Sequence, residues 1–343
     1  MFAFNISLSV LNHLGRNLYR SFVTVLGEAI SNSWDADASN VYIFIDKDGS
    51  SFTIKDDGDG MTEEDFQNKF LKIGYSKRKD GGSFTKKGRP YIGRKGIGKL
   101  ALLSCAERIS VYTKTEGMDS YIGGVIDNSD LDKAIQEEIA SGEYYLAEPD
   151  PSAVASHLNK FKKGTIIHFE RMNGGIKNTL GYIRKIVALY FRFSLLDKEF
   201  NIFIDGKRVS VKDLKDIGEK TQFLWSVNSF SDPFIEGCLK NLKSARSLES
   251  KMPIKGFVGT VDKPSSLKVR ETDEKLTVDL FVNGRLREKD ILKSIPTNRL
   301  PESYMYGQIH FDILDEGKDP FTSSREGVIS DNPLYKKFLK EIK

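Results

Sequence analysis

GRKGIGKL, residues 93–100, is the stretch on which the reading of this chain turns. It begins as a phosphate loop would, with Gly93, four residues, Gly98 and Lys99. The P-loop pattern then requires a Ser or Thr whose hydroxyl holds Mg²⁺. Here the next residue is Leu100. Gly93, Gly96 and Gly98 leading into a helix still offer backbone N–H groups, which bind anions without any hydroxyl. A metal ligand, if phosphate is handled here, has to come from another part of the sequence.

Two upstream clusters offer the further chemistry, and the first could supply that ligand. The first is EAISNSWDA, residues 28–36, at the end of a helical stretch over 8–34 with apolar residues Leu11, Leu14, Leu18, Phe22, Val25, Leu26, Ala29 and Ile30 at helical spacing. Glu28 and Asn32 are four apart, so they share one helix face. Asn offers Mg²⁺ a neutral oxygen, and Glu can orient and deprotonate a water. The same spacing also describes an exposed polar stripe on an amphipathic helix. The second cluster is IKDDGDGM, residues 54–61, directly after a strand. Asp56 closes the strand, and Gly58 and Gly60 permit a tight turn and close approach of backbone to a ligand. A carboxylate so placed can accept a hydrogen bond from an exocyclic amine. An ordinary turn is the alternative; a calcium loop is not, because the D-x-D-x-D-G spacing and later Glu are absent.

Composition bounds the remaining choices. The 343 residues suggest two domains, with 39% hydrophobic and 29% charged residues, the mix of a globular protein. No apolar run is long enough to span a membrane, and the apolar N-terminus lacks the basic region of a signal peptide. Cys105 and Cys238 are too few for a disulfide framework, so a reducing cytoplasm is expected. Net charge is only +4, but Lys77, Arg78, Lys79, Lys86, Lys87, Arg89, Arg94, Lys95 and Lys99 stand against the single acid Asp80. This glycine-rich basic segment, 74–98, is expected to be a long mobile loop.

Along the chain, VYIFID (41–46) and SFTIKD (51–56) form a strand–turn–strand signal. Thr62 followed by three acids marks a helix start, running to about Lys72. A helix is expected from Lys99, strands near 107–114, 119–126 and 164–170, and an apolar helix over 176–197. From about residue 200, short strands (NIFID, PIKGFVGTV, KLTVDLFVNG, YGQIHFDIL) alternate with helical pieces and end in the lysine-rich helix YKKFLKEIK, indicating a second α/β domain.

E-x-x-x-N, D-x-G-x-G, a glycine-rich lid and the later Gly164–Thr165, in that order, resemble the GHKL ATPase superfamily of DNA gyrase B, the ninety-kilodalton heat-shock chaperone, sensor histidine kinases, MutL and MORC proteins. The resemblance implies an α+β chain: a Bergerat-fold ATPase domain, an α/β sandwich over 1–198, then a transducer-like domain of ribosomal S5 domain 2 type over 199–343. It implies ATP and Mg²⁺ as cofactors, Glu28 as general base and Asn32 as Mg²⁺ ligand. Asp56 would read adenine, with Gly58, Gly60 and Met61 lining the nucleotide and Thr165 beside it. Gly93, Gly96, Gly98 and Lys99 would hold phosphate, as would Lys77 near the lid. FVNGRLR (281–287) is similar to a strand–turn of the MutL transducer. FTSSREGV (321–328) resembles the chaperone loop that sends an arginine, here Arg325, to the γ-phosphate. Sensor kinases carry a phosphoacceptor histidine upstream; His13, the only early one, reads as packing or surface, and the retained Glu28 favours water as acceptor. The implied function is a cytoplasmic, ATP-gated homodimeric clamp on DNA. A chaperone-like binder of protein clients and a nucleotide-binding module without turnover stand as alternatives.

Overall fold

The computed structural model describes residues 7–10, 12, 22–75, 82–93, 96, 102–191, 193–269, 275–295, 299–317, 319–322 and 327–343. Of the expected site residues, Lys77, Gly98, Lys99 and Arg325 lie outside these, as does His13. The architecture is mixed α+β, with one seven-stranded and one six-stranded sheet.

Helix α1 (Phe22–Asp35) leads into strands β1 (Asn40–Ile45) and β2 (Phe52–Asp56), which pair antiparallel with Val41 opposite Asp56. The capped start at Thr62 is present: its hydroxyl accepts the Asp65 N–H while Asp65 reaches back to the Thr62 N–H. That helix lasts only Glu63–Asp65 and widens into a π-type turn over Phe66–Phe70, ending short of Lys72. Strands β3 (Ala106–Lys114), β4 (Ile122–Asp127) and β5 (Gly164–Met172) follow, with helix α2 (Asn128–Gln136) between the last two. Strand β5 lies between β2 and β3, antiparallel to both. Helix α1 covers one face through edge-on contacts of Phe22 with Phe52 at 5.0 Å and of Trp34 with Phe200 at 5.2 Å. The other face carries half-buried Tyr42, Phe44 and Phe203, as an antiparallel sheet with one wetter side does.

The chain then interleaves two compact units: Met1–Lys177 with Glu199–Arg208, and Asn178–Lys198 with Val209–Lys343. Helix α3 (Leu180–Tyr190), read above as closing the first domain, packs in the second, where Arg184 and Lys185 pair with Asp213 and Asp216 at 3.2 and 2.7 Å. Conversely, β6 (Asn201–Ile204), read as opening the second domain, adds parallel to β1 with Val41 opposite Ile202. It turns through Asp205 and Gly206, both at positive φ, into β7 (Lys207–Arg208). That Asp-Gly pair is the sequence of a two-residue hairpin. A hairpin signal is local and cannot say which sheet will receive it, so a single boundary near 198 does not hold.

The second unit contains helices α4 (Lys215–Lys220) and α5 (Pro233–Cys238) and strands β8 (Thr221–Val227), β9 (Ser244–Leu248), β10 (Lys255–Val261), β11 (Val278–Val282), β12 (Arg285–Glu288) and β13 (Met305–His310). The sheet order is β12-β11-β13-β10-β8-β9. Helix α6 (Pro333–Glu341) packs Tyr335 and Phe338 into a core with Val278, Leu280, Ile309 and Phe311. FVNGRLR is the β11–β12 hairpin, with Asn283 and Gly284 at positive φ and Val282 opposite Arg285. The base of the 321–328 loop is closed by a Phe321–Val328 bridge and by the Thr322 N–H donating to the Gly327 carbonyl at 3.0 Å.

Candidate nucleotide site at one end of the first sheet

Register brings the ends of β2, β3 and β5 together: Thr113 lies opposite Thr165 and Lys114 opposite Gly164, one strand from Asp56. Gly164, at φ +118°, starts β5 so close to β2 that a Cβ there would sit 2.1 Å from the Asp56 carbonyl. Gly60, at φ +69°, would collide likewise with the Lys114 carbonyl at 2.0 Å. Both glycines are required by backbone crowding and by handedness.

Asp56 sits at this junction, 7% exposed. Its Oδ1 accepts the Gly58 N–H at 3.0 Å and the Thr165 N–H at 3.2 Å, and its Oδ2 accepts the Ser33 hydroxyl at 2.9 Å. Burial pushes the carboxyl up to about 6, against the opposing pull of those three donors. Ser33 has one proton and two acceptors in reach, Asp56 and the Ala29 carbonyl at 3.2 Å, so it can either donate to Asp56 or accept from it. Beside it, fully buried Thr113 donates to the Gly164 carbonyl at 3.0 Å. Its oxygen then accepts the Met61 N–H at 3.0 Å and the Thr165 hydroxyl at 3.2 Å. The neighbouring carboxylates do different work. Asp57 accepts the Ser39 and Asn40 N–H groups at 2.7 and 2.8 Å, fixing the turn between α1 and β1, while half-buried Asp59 pairs with exposed Lys86 at 2.8 Å.

On α1, every residue from Val25 to Asp35 is buried except Asn32, which is half-buried. Glu28 is 2% exposed, so an exposed polar stripe is excluded for it. A buried carboxylate one turn from a half-exposed amide, on the helix that carries Ser33, is a donor set able to serve a metal-bound phosphate and an attacking water. Among the described residues, no group of three or more His, Cys, Asp or Glu converges as a metal site.

The loop expected to be mobile is fixed over 82–93. Asp35, 6% exposed at the end of α1, accepts the Ile92 N–H with Oδ1 and the Gly93 N–H with Oδ2, both at 2.8 Å. A Cβ at Gly93 would lie 2.6 Å from that Oδ2. Asp37 accepts the Thr85 hydroxyl and the Lys87 N–H. The Trp34 indole donates to the Pro90 carbonyl at 3.0 Å. Arg89, 5% exposed, lies over the rings of Trp34 and Phe200 at 4.6 and 5.3 Å and donates to the Ala38 carbonyl. Gly96, at φ +63°, rests on the Gly74–Tyr75 backbone: its carbonyl accepts the Gly74 N–H at 3.1 Å, and a Cβ would overlap the Tyr75 carbonyl. Of the nine cations counted above, Lys86, Lys87 and Arg89 are thus engaged on protein groups, and the other six lie outside the described residues.

Sequence reasoning therefore missed Ser33, Asp35, Asp37 and Thr113. The first three lie within or beside the Glu28–Ala36 motif and carry hydrogen-bonding side chains that the reading left without a task. Thr113 has no local signal; only the β3–β5 register gives it a role.

Residues 19–165 match the family described as histidine kinase-, DNA gyrase B-, and HSP90-like ATPase. The chain is also 31% identical over 344 residues to the "Putative type II restriction enzyme HgiDII" of Herpetosiphon aurantiacus, a match covering 98% of this chain and 54% of that protein. The chain thus spans about half the length of that relative. Among the described residues, no helix is long and apolar enough to cross a membrane.

Proposed function

Since residues 19–165 belong to the histidine kinase-, DNA gyrase B- and HSP90-like, or GHKL, ATPases, we propose that this chain is a Mg²⁺-dependent ATPase whose nucleotide-gated closure into a homodimer acts on DNA. The observation that carries the nucleotide site is Asp56: a buried carboxylate held by three donors, with a lone pair of Oδ2 left for a further one. Adenine's amine is that donor, with Gly58, Gly60 and Met61 against the base and Thr165 beside it. Asn32 would hold Mg²⁺, which when bound supplies charge neutralisation at the phosphates. Gly93, Gly96, Gly98, Lys77 and Lys99 would surround the phosphates, and Asp35 keeps the first of these glycines at the helix that carries Glu28.

Glu28 acts as the base. Buried on α1, it holds a water in line and accepts its proton as the phosphoryl group leaves; such transfer depends mainly on positioning and charge neutralisation. Arg325 would add positive charge at the γ-phosphate. The DNA reading is supported by the restriction enzyme named above and rests on that likeness.

The test is ATP hydrolysis by the purified chain, with and without duplex DNA, beside Glu28→Ala. Mg²⁺-dependent turnover that drops about 10²- to 10⁴-fold in the variant, with nucleotide binding kept, is expected for loss of a general base. Undiminished hydrolysis by Glu28→Ala would remove that residue from the mechanism. Turnover indifferent to DNA at every salt concentration would remove DNA as the effector.

A further inference from the structure

The second sheet has two unlike faces. Side chains of Leu224, Phe257 and Tyr306 point to the side where Phe234 of α5 packs, with Phe234–Phe257 centroids at 5.8 Å. On the opposite side, Val227, Val258 and Met305 join the core that α6 covers. That cover stops short of the β8–β9 edge. There Phe223 and Trp225, two apart on β8, share a face with rings 6.3 Å apart and inclined by 25°. Phe223 is 36% exposed, Trp225 is half-buried, and all five residues of β9 are exposed. In the parallel β8–β9 pairing, Arg246 stands directly beside Trp225 and Leu248 beside Val227.

The segment that carries β9 is basic. Residues 239–255 hold Lys240, Lys243, Arg246, Lys251 and Lys255 against the single acid Glu249, a net of +4 in seventeen positions. This equals the formal charge of the whole chain, +4, so the remaining residues sum to zero. Lys240, Lys243 and Arg246 are all exposed, and none makes an ion pair with the described residues. Exposed cations beside two open aromatic rings ask for a partner that carries both negative charge and flat faces. A single-stranded polynucleotide meets both requirements, because its phosphates answer the cations and every base offers a flat face to stack.

We propose that the open β8–β9 end of the second sheet is a binding surface for single-stranded nucleic acid, with bases stacking on Phe223 and Trp225 and phosphates neutralised by Lys243 and Arg246. The inference deepens the DNA part of the reading above but rests on a surface in the other compact unit from Asp56 and Glu28. Binding is sequence-tolerant, since neither stacking nor point charge reads base edges.

The chain has two tryptophans, and Trp34 is 5% exposed, so quenching by an added strand reports on Trp225. Titration of the purified chain with oligo(dT) is expected to quench its fluorescence, and affinity should fall steeply with salt. Trp225→Ala should abolish the quench. The paired change Lys243→Glu with Arg246→Glu should weaken binding about tenfold or more and flatten the log–log salt slope by about 1.4, two lost cations at roughly 0.7 each for single strands. ATP hydrolysis in the absence of DNA should be unchanged in the charge variant, whose two substitutions are exposed and leave the core intact. Oligo(dT) binding that both variants keep would overturn the proposal, as would absence of any binding at low salt. A quench that grows with protein concentration alone, alongside a sedimentation shift, would assign this face to a second copy and equally overturn it. DNA-stimulated hydrolysis untouched by these variants would sink this surface and leave the ATPase reading standing. The reverse result, variant-sensitive strand binding without any effect of DNA on hydrolysis, would keep the surface and remove the DNA-gated ATPase.

Discussion

Replacing Asp35 by Asn tests how the glycine-rich loop is held to the helix of Glu28 and Asn32. The two side chains have nearly the same size, so packing at the end of α1 is preserved. The carboxylate accepts the Ile92 and Gly93 N–H groups at 2.8 Å each. An amide offers one oxygen, and its NH₂ would face the other N–H donor. Hydrogen bonds to charged groups contribute about 1.5–3 kcal/mol each, so losing one and weakening the other should ease opening of this anchor by about 2–4 kcal/mol. At about 1.4 kcal/mol per factor of ten, that is roughly 30- to 1000-fold. Native-state hydrogen exchange reads it directly, because the Ile92 and Gly93 amides exchange through local opening. Those two amides should lose protection by that factor while the β3 and β5 amides keep theirs, and ATP affinity should fall in step. Unchanged protection at Ile92 and Gly93 would refute the argument that Asp35 holds the loop; a uniform loss across the sheet would show that Asp35 supports the whole unit instead.

Four further outcomes are expected. Gly60→Ala places a Cβ 2.0 Å from the Lys114 carbonyl at φ +69°, so thermal denaturation should show a loss of stability of about 1–3 kcal/mol or more. The Asp56 carboxyl keeps its proton to about 6 when folded, against an ordinary value of 3.8. Between those values the folded chain binds more protons than the unfolded one, so this group's contribution to stability declines as pH rises through the window, by up to about 3 kcal/mol, and is level above it. Adenosine, which has no phosphate to titrate, should bind more weakly below pH 6, as the acceptor becomes protonated, and Ser33→Ala should move that midpoint upward by removing a donor to the charged form. Arg325→Ala should slow hydrolysis while leaving nucleotide binding intact, as judged by single-turnover assay beside an affinity titration.

Much of the local structure is legible in the sequence. The alternation in VYIFID and SFTIKD, the capping box at Thr62 and the Asn-Gly turn at 283–284 each act within a few residues, and each is present. The glycines of the Asp56 turn are also legible, because a left-handed or crowded backbone position admits little else. Illegible from the sequence was which strand lies beside which. Gly164 and Thr165 matter because β5 is inserted between β2 and β3, more than a hundred residues of chain from Asp56, and Thr113 acquires its two acceptor contacts only through that register. The basic loop shows the same limit. Its glycines and charges suggest freedom, whereas Trp34, Asp35 and Asp37 take its backbone and Arg89 in hand.

The sequence by itself determined the elements, the chemistry on offer and the order of the motifs, since turns, caps and periodic burial are short-range effects carried by side chains a few residues apart. Only the tertiary structure decided that Glu28 is buried, that Asp56 is held by donors from α1, its own turn and β5, and that β6 leaves its neighbours to complete the first sheet while α3 crosses to the second. Those outcomes depend on which surfaces exclude water together, and a local pattern specifies that a face will be buried without specifying the partner that buries it.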